Sequence, residues 1–513
     1  GGEASDKAAS GGGARTGTDL GSACNRPPGR GDAVVESLET IEGLYPNPYR
    51  GQAMSCAGCH LVDQAKSIAG FGVRAYTDGS HRSRIPERGD GLDRTVRNSP
   101  NMVAMALRDG LFLHHDGEFV RPEDLVRASY LGRNMGWLAD EELKALHHIA
   151  EVVRHDSGAY PTDTDLGGLT YKELLSGKNT VPAKFRIPAK FRMDIDKAND
   201  SEIFEAVIHL VGQYLRALDY SRDAKGDYNG TPYDLFLQKN GLPRSPDPGE
   251  SEVSYSKRLY NLVVNSTRGG SAAHADHLSL VDAREGQFKL HKQDFVFSEN
   301  ELAGFKTFFG SGQCIQCHSA PDFTDHLFHN TGVSQFEYDQ VHGSGSFAKL
   351  HVPHLAERNS QADLYLPPTF EHPNAKSIFR SIPDTSEPLR ADLGAWVVFR
   401  NPAMPTPQTL LKKAICQSLN WNCNEVTDDK ILDGSLAMIK TPAVRDLGQS
   451  APYFHSGHAG TLEEVIRFYE TYSALAREGV VRNADPRLKD IQLGESDGKN
   501  LVLFLKSLNE DYN

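Results

Sequence analysis

Two short phrases carry the chemistry of this chain: Cys56-Ala-Gly-Cys59-His60 near the start and Cys314-Ile-Gln-Cys317-His318 past the middle. Each sets two thiols three positions apart and puts a histidine directly after the second. Thiols at that spacing can each add to one of the two vinyl groups on a porphyrin edge, and the imidazole that follows then stands under the iron. A redox dithiol has no use for the histidine, and a zinc site pooling four thiols has no use for two of them. The spacing therefore predicts two covalently attached c-type haems, bound through Cys56, Cys59, Cys314 and Cys317, with His60 and His318 as iron ligands. Attachment of this kind implies a periplasmic, extracytoplasmic compartment. A disulfide is allowed there, and Cys416 and Cys423 are the expected bridge. Cys24 is left as an odd thiol or disulfide partner, with a lipid-anchored N-terminus as the alternative reading.

The remaining composition bounds the function. The chain has 513 residues, a net charge of −13, 39% hydrophobic residues and seven cysteines. Two or three globular domains with a sizeable core fit that length. Seven cysteines are too sparse for a disulfide scaffold. No apolar run approaches the roughly 20 residues of a membrane span, so the chain is read as not transmembrane. The acidic balance argues against nucleic acid as a partner, and the basic stretch 184–192 reads as a solvated loop.

The elements that must position these groups are helical. Leu143, Leu146, Ile149 and Val153 follow a helical period with Asp140 placed to cap it, and so do Ile203, Val207, Leu210, Val211, Leu215 and Leu218. Ser298 with Glu301, and Thr461 with Glu464, form capping boxes ahead of apolar runs. Strand-like alternation is scarce, and 160–198, 225–250 and 335–374 are long loops rich in Pro and Gly. The expected fold is mainly α, with two cytochrome-c-like haem domains, long loops and an inserted linking segment. An internal repeat supports the duplication: the phrase from His115 to Ser129 aligns without gaps on that from His455 to Tyr469. The expected division is a flexible arm over 1–32, an N-terminal haem domain over 33–159, an intervening segment over 160–300 and a C-terminal haem domain over 301–513.

The repeat also exposes an asymmetry. Leu462, Val465, Ile466 and Tyr469 share a helix face, whereas the equivalent of Tyr469 in the first half is Ser129, too short and too weak a donor to ligate iron. One haem is then closed by Tyr469 and the other is open, with Met438 and His455 as rival ligands. A buried packing role is the competing account of Tyr469.

These residues resemble the bacterial di-haem cytochrome c peroxidase superfamily, which includes the MauG-type enzymes. The matching phrases are the two haem motifs, Arg97-Asn-Ser-Pro100, Phe112-Leu-His-His-Asp-Gly117, Phe328-His-Asn-Thr-Gly-Val333, Thr441-Pro-Ala-Val-Arg445 and Ala451-Pro-Tyr-Phe-His455. By that resemblance the haem on His60 reacts with hydrogen peroxide, and the haem on His318 stores an oxidising equivalent or passes electrons. Standard peroxidases have Met where Tyr469 stands. Tyr is the MauG-like choice, and an anionic phenolate stabilises oxidised iron. The resemblance further implies a calcium ion held by the Asn98 side chain and the carbonyls of Ser450 and Pro452.

Two departures qualify the resemblance. His115 replaces the family's inter-haem Trp, so an inter-haem relay would run through an imidazole. Asn134 replaces the distal Glu. An amide can hydrogen-bond peroxide but cannot shuttle its proton, which leaves that task to water, His114, Glu123 or Asp124. The leading expectation is a MauG-like peroxidase-type enzyme whose partners are peroxide and either a small cytochrome c or cupredoxin donor or an oxidised protein. The alternatives are a standard cytochrome c peroxidase, an oxygenase acting on dioxygen and a pure electron-transfer cytochrome. Trp137, Trp396 and Trp421 are candidate hopping stations, and His81 a candidate resting ligand of the first iron.

Overall fold

The computed structural model describes His60, Arg82, Ile85 and residues 88–511, apart from 108–109, 157, 159–167, 268–277, 290 and 495–496. Cys24, Cys56, Cys59 and His81 lie outside the described residues. The chain is mainly helical. The helices used below are α1 (Pro122–Leu131), α2 (Glu142–Arg154), α3 (Asp200–Ala217), α4 (Pro232–Lys239), α5 (Glu252–Thr267), α6 (Glu299–Lys306), α7 (Val333–His342), α8 (Gln408–Ser418), α9 (Asp428–Gly434), α10 (Leu462–Arg477) and α11 (Asp497–Lys506). The one described sheet pairs β1 (Phe328–His329) with β2 (Ile439–Lys440) antiparallel, Phe328 facing Lys440. No described helix is long and apolar enough to cross a membrane.

The capping chemistry read from the sequence operates at both expected sites. Ser298 starts α6 and Thr461 starts α10, each reciprocated by its Glu. Asn199 does the same for α3, with Glu202 N–H donating to its side chain at 2.9 Å. Asp140 does not cap α2. It is exposed in a 3₁₀ turn over Ala139–Glu141, where the Glu141 carboxylate accepts from Leu138 N–H at 3.0 Å, and α2 begins only afterwards. Leu143 is 77% exposed, and Ala145, His148 and Val153 form the buried side of α2 instead.

The repeat is visible as local structure. An isolated bridge joins Leu113 to Phe119, and another joins Tyr453 to Ala459, at matching places in the two aligned phrases. In each half the bridge is followed at once by a helix, α1 or α10. Three hydrophobic clusters surround these hairpins. The first packs α1, α2 and α3 around Leu113, Phe119, Phe204 and Ile208. The second gathers α4, α5, α6 and α11 around Phe236, Phe297, Phe305 and Phe504 and takes in Leu462 and Ile466 of α10. The stretch 160–300 is therefore shared in its described part: α3 belongs with the first half, α4 and α5 with the second.

The third cluster belongs to 335–438, the long insertion between the second haem motif and Thr441. It buries Phe347, Phe379, Trp396 and Ile415, is stapled by the Cys416–Cys423 disulfide, and reaches Phe112 of the first half and Phe328 of β1. Gly117 allows this approach. Its backbone is left-handed at φ +77°, and a Cβ there would sit 2.5 Å from the Phe328 ring.

Ionic contacts fix the insertion on the first half. The Arg97 guanidinium donates to Asp116 Oδ2 at 2.6 Å and to Asp392 Oδ1 at 2.6 Å, and Arg380 donates to Asp116 at 2.7 Å. Asp116 and Asp392 are both buried. Removing one partner of such a group leaves buried charge uncompensated. Arg97→Ala is expected to lower stability by about 3–5 kcal/mol in urea denaturation. Glu510 supplies a second check. Burial pushes its carboxyl from 4.5 up to about 7, so the folded chain holds this proton more tightly than the unfolded chain does. That contribution is complete at acid pH and is lost as pH rises through about 7. Glu510→Gln is expected to remove up to about 3 kcal/mol of pH dependence between those values, read from melting curves.

Candidate haem-binding site

The second motif folds as one 3₁₀ turn, Cys314–Gln316, entered through Gln313 in the left-handed region. The turn brings both thiols and the following imidazole to one place. Burial pushes the Cys314 thiol up to about 12 and raises Cys317 as well. Burial also lowers His318, so its imidazole is neutral, as a metal ligand must be. His318 Nδ1 lies 3.1 Å from the Phe323 carbonyl, which fixes the ring and leaves Nε2 for a metal. Tyr469 is partly buried on α10, packed against Phe454 and Phe468. Its phenol is pushed up by burial first and then by the charges of Cys317 and Cys314, its electrostatic neighbours. The two thiols and the imidazole of this turn are a donor set that fits attachment of a c-type haem. Met438 is buried in the insertion core, and His455 faces the first half instead.

His329 escaped the sequence reading as a side chain with a role. It stands between two carboxylates, with Asp485 at 2.6 Å from Nδ1 and Asp325 at 2.8 Å from Nε2. Burial alone would lower it. The Cys317 thiol and the two carboxylates reverse that and hold it well above its usual value. The only sequence signal was the phrase Phe328-His-Asn. Asp485 lies far along the chain and could not be foreseen.

In the first half, His60 has a buried Nδ1 with no partner among the described residues, and burial holds its pKa down to about 4. His114 and the Pro100 carbonyl are its neighbours. His114 adopts φ 63°, and its Nδ1 lies 3.2 Å from Glu118, which Arg380 holds at 3.2 Å. Asn134 is exposed on the 3₁₀ turn Arg133–Met135. That turn is secured by Arg133 on Asp90 and by Arg88 on the Gly136 carbonyl. Glu123 sits elsewhere, against Arg216 of α3 at 3.0 Å. Burial pushes its carboxyl up, and the Arg216 guanidinium more than offsets this, so it rests ionised below its usual value. Ser129 spends its hydroxyl on the Leu125 carbonyl one turn back, at 2.8 Å.

Between the halves, the repeat-equivalent histidines meet. The His115 and His455 rings lie 6.2 Å apart, His455 buried and His115 half-buried. His115 Nε2 is 2.8 Å from the Asn98 carbonyl, and Asn98 N–H donates to the His455 carbonyl at 2.6 Å. The Asn98 amide lies 2.5 Å from the Pro452 carbonyl, while its Oδ1 is buried without a partner among the described residues. Turning that amide half a revolution points two hard oxygens at one spot, which fits a calcium ion. Ser450 is two residues from Pro452, and its hydroxyl lies 3.4 Å from the Asp446 carbonyl.

No family model matches the chain. Its relatives include the cytochrome-c peroxidase IdrP2 of Denitromonas iodatirespirans, 24% identical over 213 residues that make up 42% of this chain and 40% of that protein. The cytochrome-c peroxidase IdrP1 of the same organism is 22% identical over 42% of this chain and 41% of that protein. The chain thus spans about two fifths of the length of the curated relatives it matches. Similar solved structures include a MauG-like protein associated with microbial copper homeostasis, 16% identical with a TM-score of 0.39, covering 94% of this chain and 93% of that one. Another is the diheme peroxidase BthA from Burkholderia thailandensis E264, 14% identical with a TM-score of 0.42, covering 94% and 86%. Likeness at those scores carries no argument about ligation. In its ordered set of motifs and in these sequence relatives the chain is similar to the bacterial di-haem cytochrome c peroxidases.

Proposed function

We propose that the chain is a periplasmic di-haem oxidoreductase that activates hydrogen peroxide at an open haem on His60 and shares oxidising equivalents with a second haem held between His318 and Tyr469, in the MauG manner. A haem bound at each motif supplies an iron that reacts with peroxide or stores the oxidising equivalents drawn from it. The observation that carries the reading is the inequality of the two halves. A tyrosine stands at position 469 on α10, close enough to Cys314 and Cys317 to feel their electrostatics, whereas Ser129, at the matching place on α1, is turned back onto its own helix.

The side chains divide the remaining work. Asn134 hydrogen-bonds peroxide. His114, oriented by Glu118, moves the proton that an amide cannot. Glu123 is held as a carboxylate by Arg216 and takes no part as an acid in that state. His115, against His455, is the contact through which the halves communicate. Asn98, Ser450 and Pro452 hold calcium at that junction. Electrons come from a small cytochrome c, a cupredoxin or an oxidised protein partner.

Low-temperature electron paramagnetic resonance of the haem-loaded chain is expected to show one high-spin and one low-spin ferric centre. Two low-spin centres that do not change on adding peroxide would sink the reading and leave an electron-transfer cytochrome. Tyr469→Phe is expected to convert the low-spin signal to high-spin, and Tyr469→Met to raise that centre's reduction potential. Asn134→Glu restores a carboxylate, and peroxide turnover with a reduced small cytochrome is expected to rise about ten- to hundredfold in a stopped-flow assay.

A further inference from the structure

The stretch 160–300 brings two tyrosines to the loop that follows the second haem motif. Tyr228 is buried, and its hydroxyl donates to Asp322 Oδ1 at 2.7 Å. Asp322 lies four residues after His318, beside Phe323, whose carbonyl fixes the His318 ring. On its other side Tyr228 meets Tyr220, with ring centroids 6.1 Å apart. Tyr220 lines a cavity of about 640 Å³ together with Arg222, Asn229, Phe288, Lys289 and Phe295. Phe288 and Phe295 suit a flat ring, and Asn229, Lys289 and the carboxylates of Asp219 and Asp511, which also line the cavity, suit its hydroxyl groups.

We propose that this cavity takes a small phenolic or hydroquinone reductant, and that Tyr228 relays its electrons to the haem on His318 while Asp322 accepts the Tyr228 proton. The inference rests on the peroxide reading above, since the oxidant is a haem oxidised by hydrogen peroxide. The O–H bond of Tyr228 breaks, with its electron going to the oxidised haem and its proton to Asp322. The reductant's O–H bond breaks in turn. Its electron, with the proton held on Asp322, restores the phenol, and its own proton leaves to water. Tyr220 is the wall the electron crosses.

Two features select Tyr228. Its ring is sandwiched between the guanidinium carbons of Arg222 at 3.8 Å and Arg445 at 3.9 Å. Two cations on its faces oppose positive charge in the ring, so an electron leaves only as the proton does. A carboxylate stands ready for that proton. Tyr220 and Tyr255 instead donate to the backbone carbonyls of Arg445 and Pro243, which take up no proton. Trp396 is a poorer station, because Arg358 lies 5.0 Å over its ring and its indole N–H has no acceptor among the described residues.

The test uses the full, haem-loaded chain with hydroquinone as the probe. After one equivalent of peroxide, the frozen wild-type chain is expected to show a tyrosyl radical that hydroquinone quenches. Tyr228→Phe and Asp322→Asn are expected to lose that radical and at least about tenfold of hydroquinone turnover, while the Soret response to peroxide keeps its rate. An unchanged radical and turnover in both variants would overturn the relay. Turnover lost together with the Soret response would also overturn it, since the variants would then be acting at the haems. A wild-type chain whose Soret band ignores peroxide would overturn the peroxide reading itself, and the relay with it.

Discussion

Arg97 is the side chain on which the arrangement turns. Its guanidinium is shared between Asp116, at the turn that carries His115, and Asp392, in the insertion. Asp116 also binds Arg380, and Asp392 lies 3.7 Å from His455. A group of buried charges this closely matched has few alternative arrangements, because moving any member strands another without a partner. The two halves are thereby held in one register at the place where their repeat-equivalent histidines meet. Lys440 N–H of β2 adds a backbone bond to the His115 carbonyl at 2.7 Å, tying that turn to the second half independently of charge.

The duplicated phrase places each helix behind a bridged turn, and one position on that helix then decides the character of each half. A serine there satisfies itself on its own helix. A tyrosine carries its hydroxyl farther from the helix than a serine does and is hydrophobic enough to be carried in at the edge of a cluster with Phe468 and Tyr472. The same scaffold therefore carries a short hydroxyl tied to its own helix in one half and a longer phenol in the other. The division of labour proposed for the haems follows from side-chain length, with no change of fold.

The stretches 335–438 and 160–300 do two kinds of work. The insertion 335–438 covers the junction between the halves and brings Asp392 and Arg380 to it. The stretch 160–300 builds outward from the second half and places Tyr228 against the loop after His318. Its aromatic core, from Tyr233 and Phe236 to Phe297, is continuous with Phe305 and Phe323. Tyr228 and Tyr220 form a small separate cluster with Val103, joined to the loop after His318 by the Tyr228–Asp322 hydrogen bond.

Much of this was legible in the residues themselves. The expectation of haem attachment follows from five-residue spacings, because vinyl groups and iron have fixed separations. The helix starts at Ser298 and Thr461 follow from capping boxes closed within four residues. The Cys416–Cys423 bridge follows from a short loop, and the asymmetry at Tyr469 from a gapless repeat. These are local constraints, set by bond geometry over a few positions. Asp140 marks the limit: a plausible cap was displaced because Glu141 and Arg88 settled the turn first. What no local rule could supply was pairing across the chain. Arg97 finds Asp392, His329 finds Asp485, Tyr228 finds Asp322 and Glu123 is taken by Arg216. Each of those partners is chosen by burial, where an unpaired charge is too costly to leave, and burial is a property of the packed tertiary structure alone.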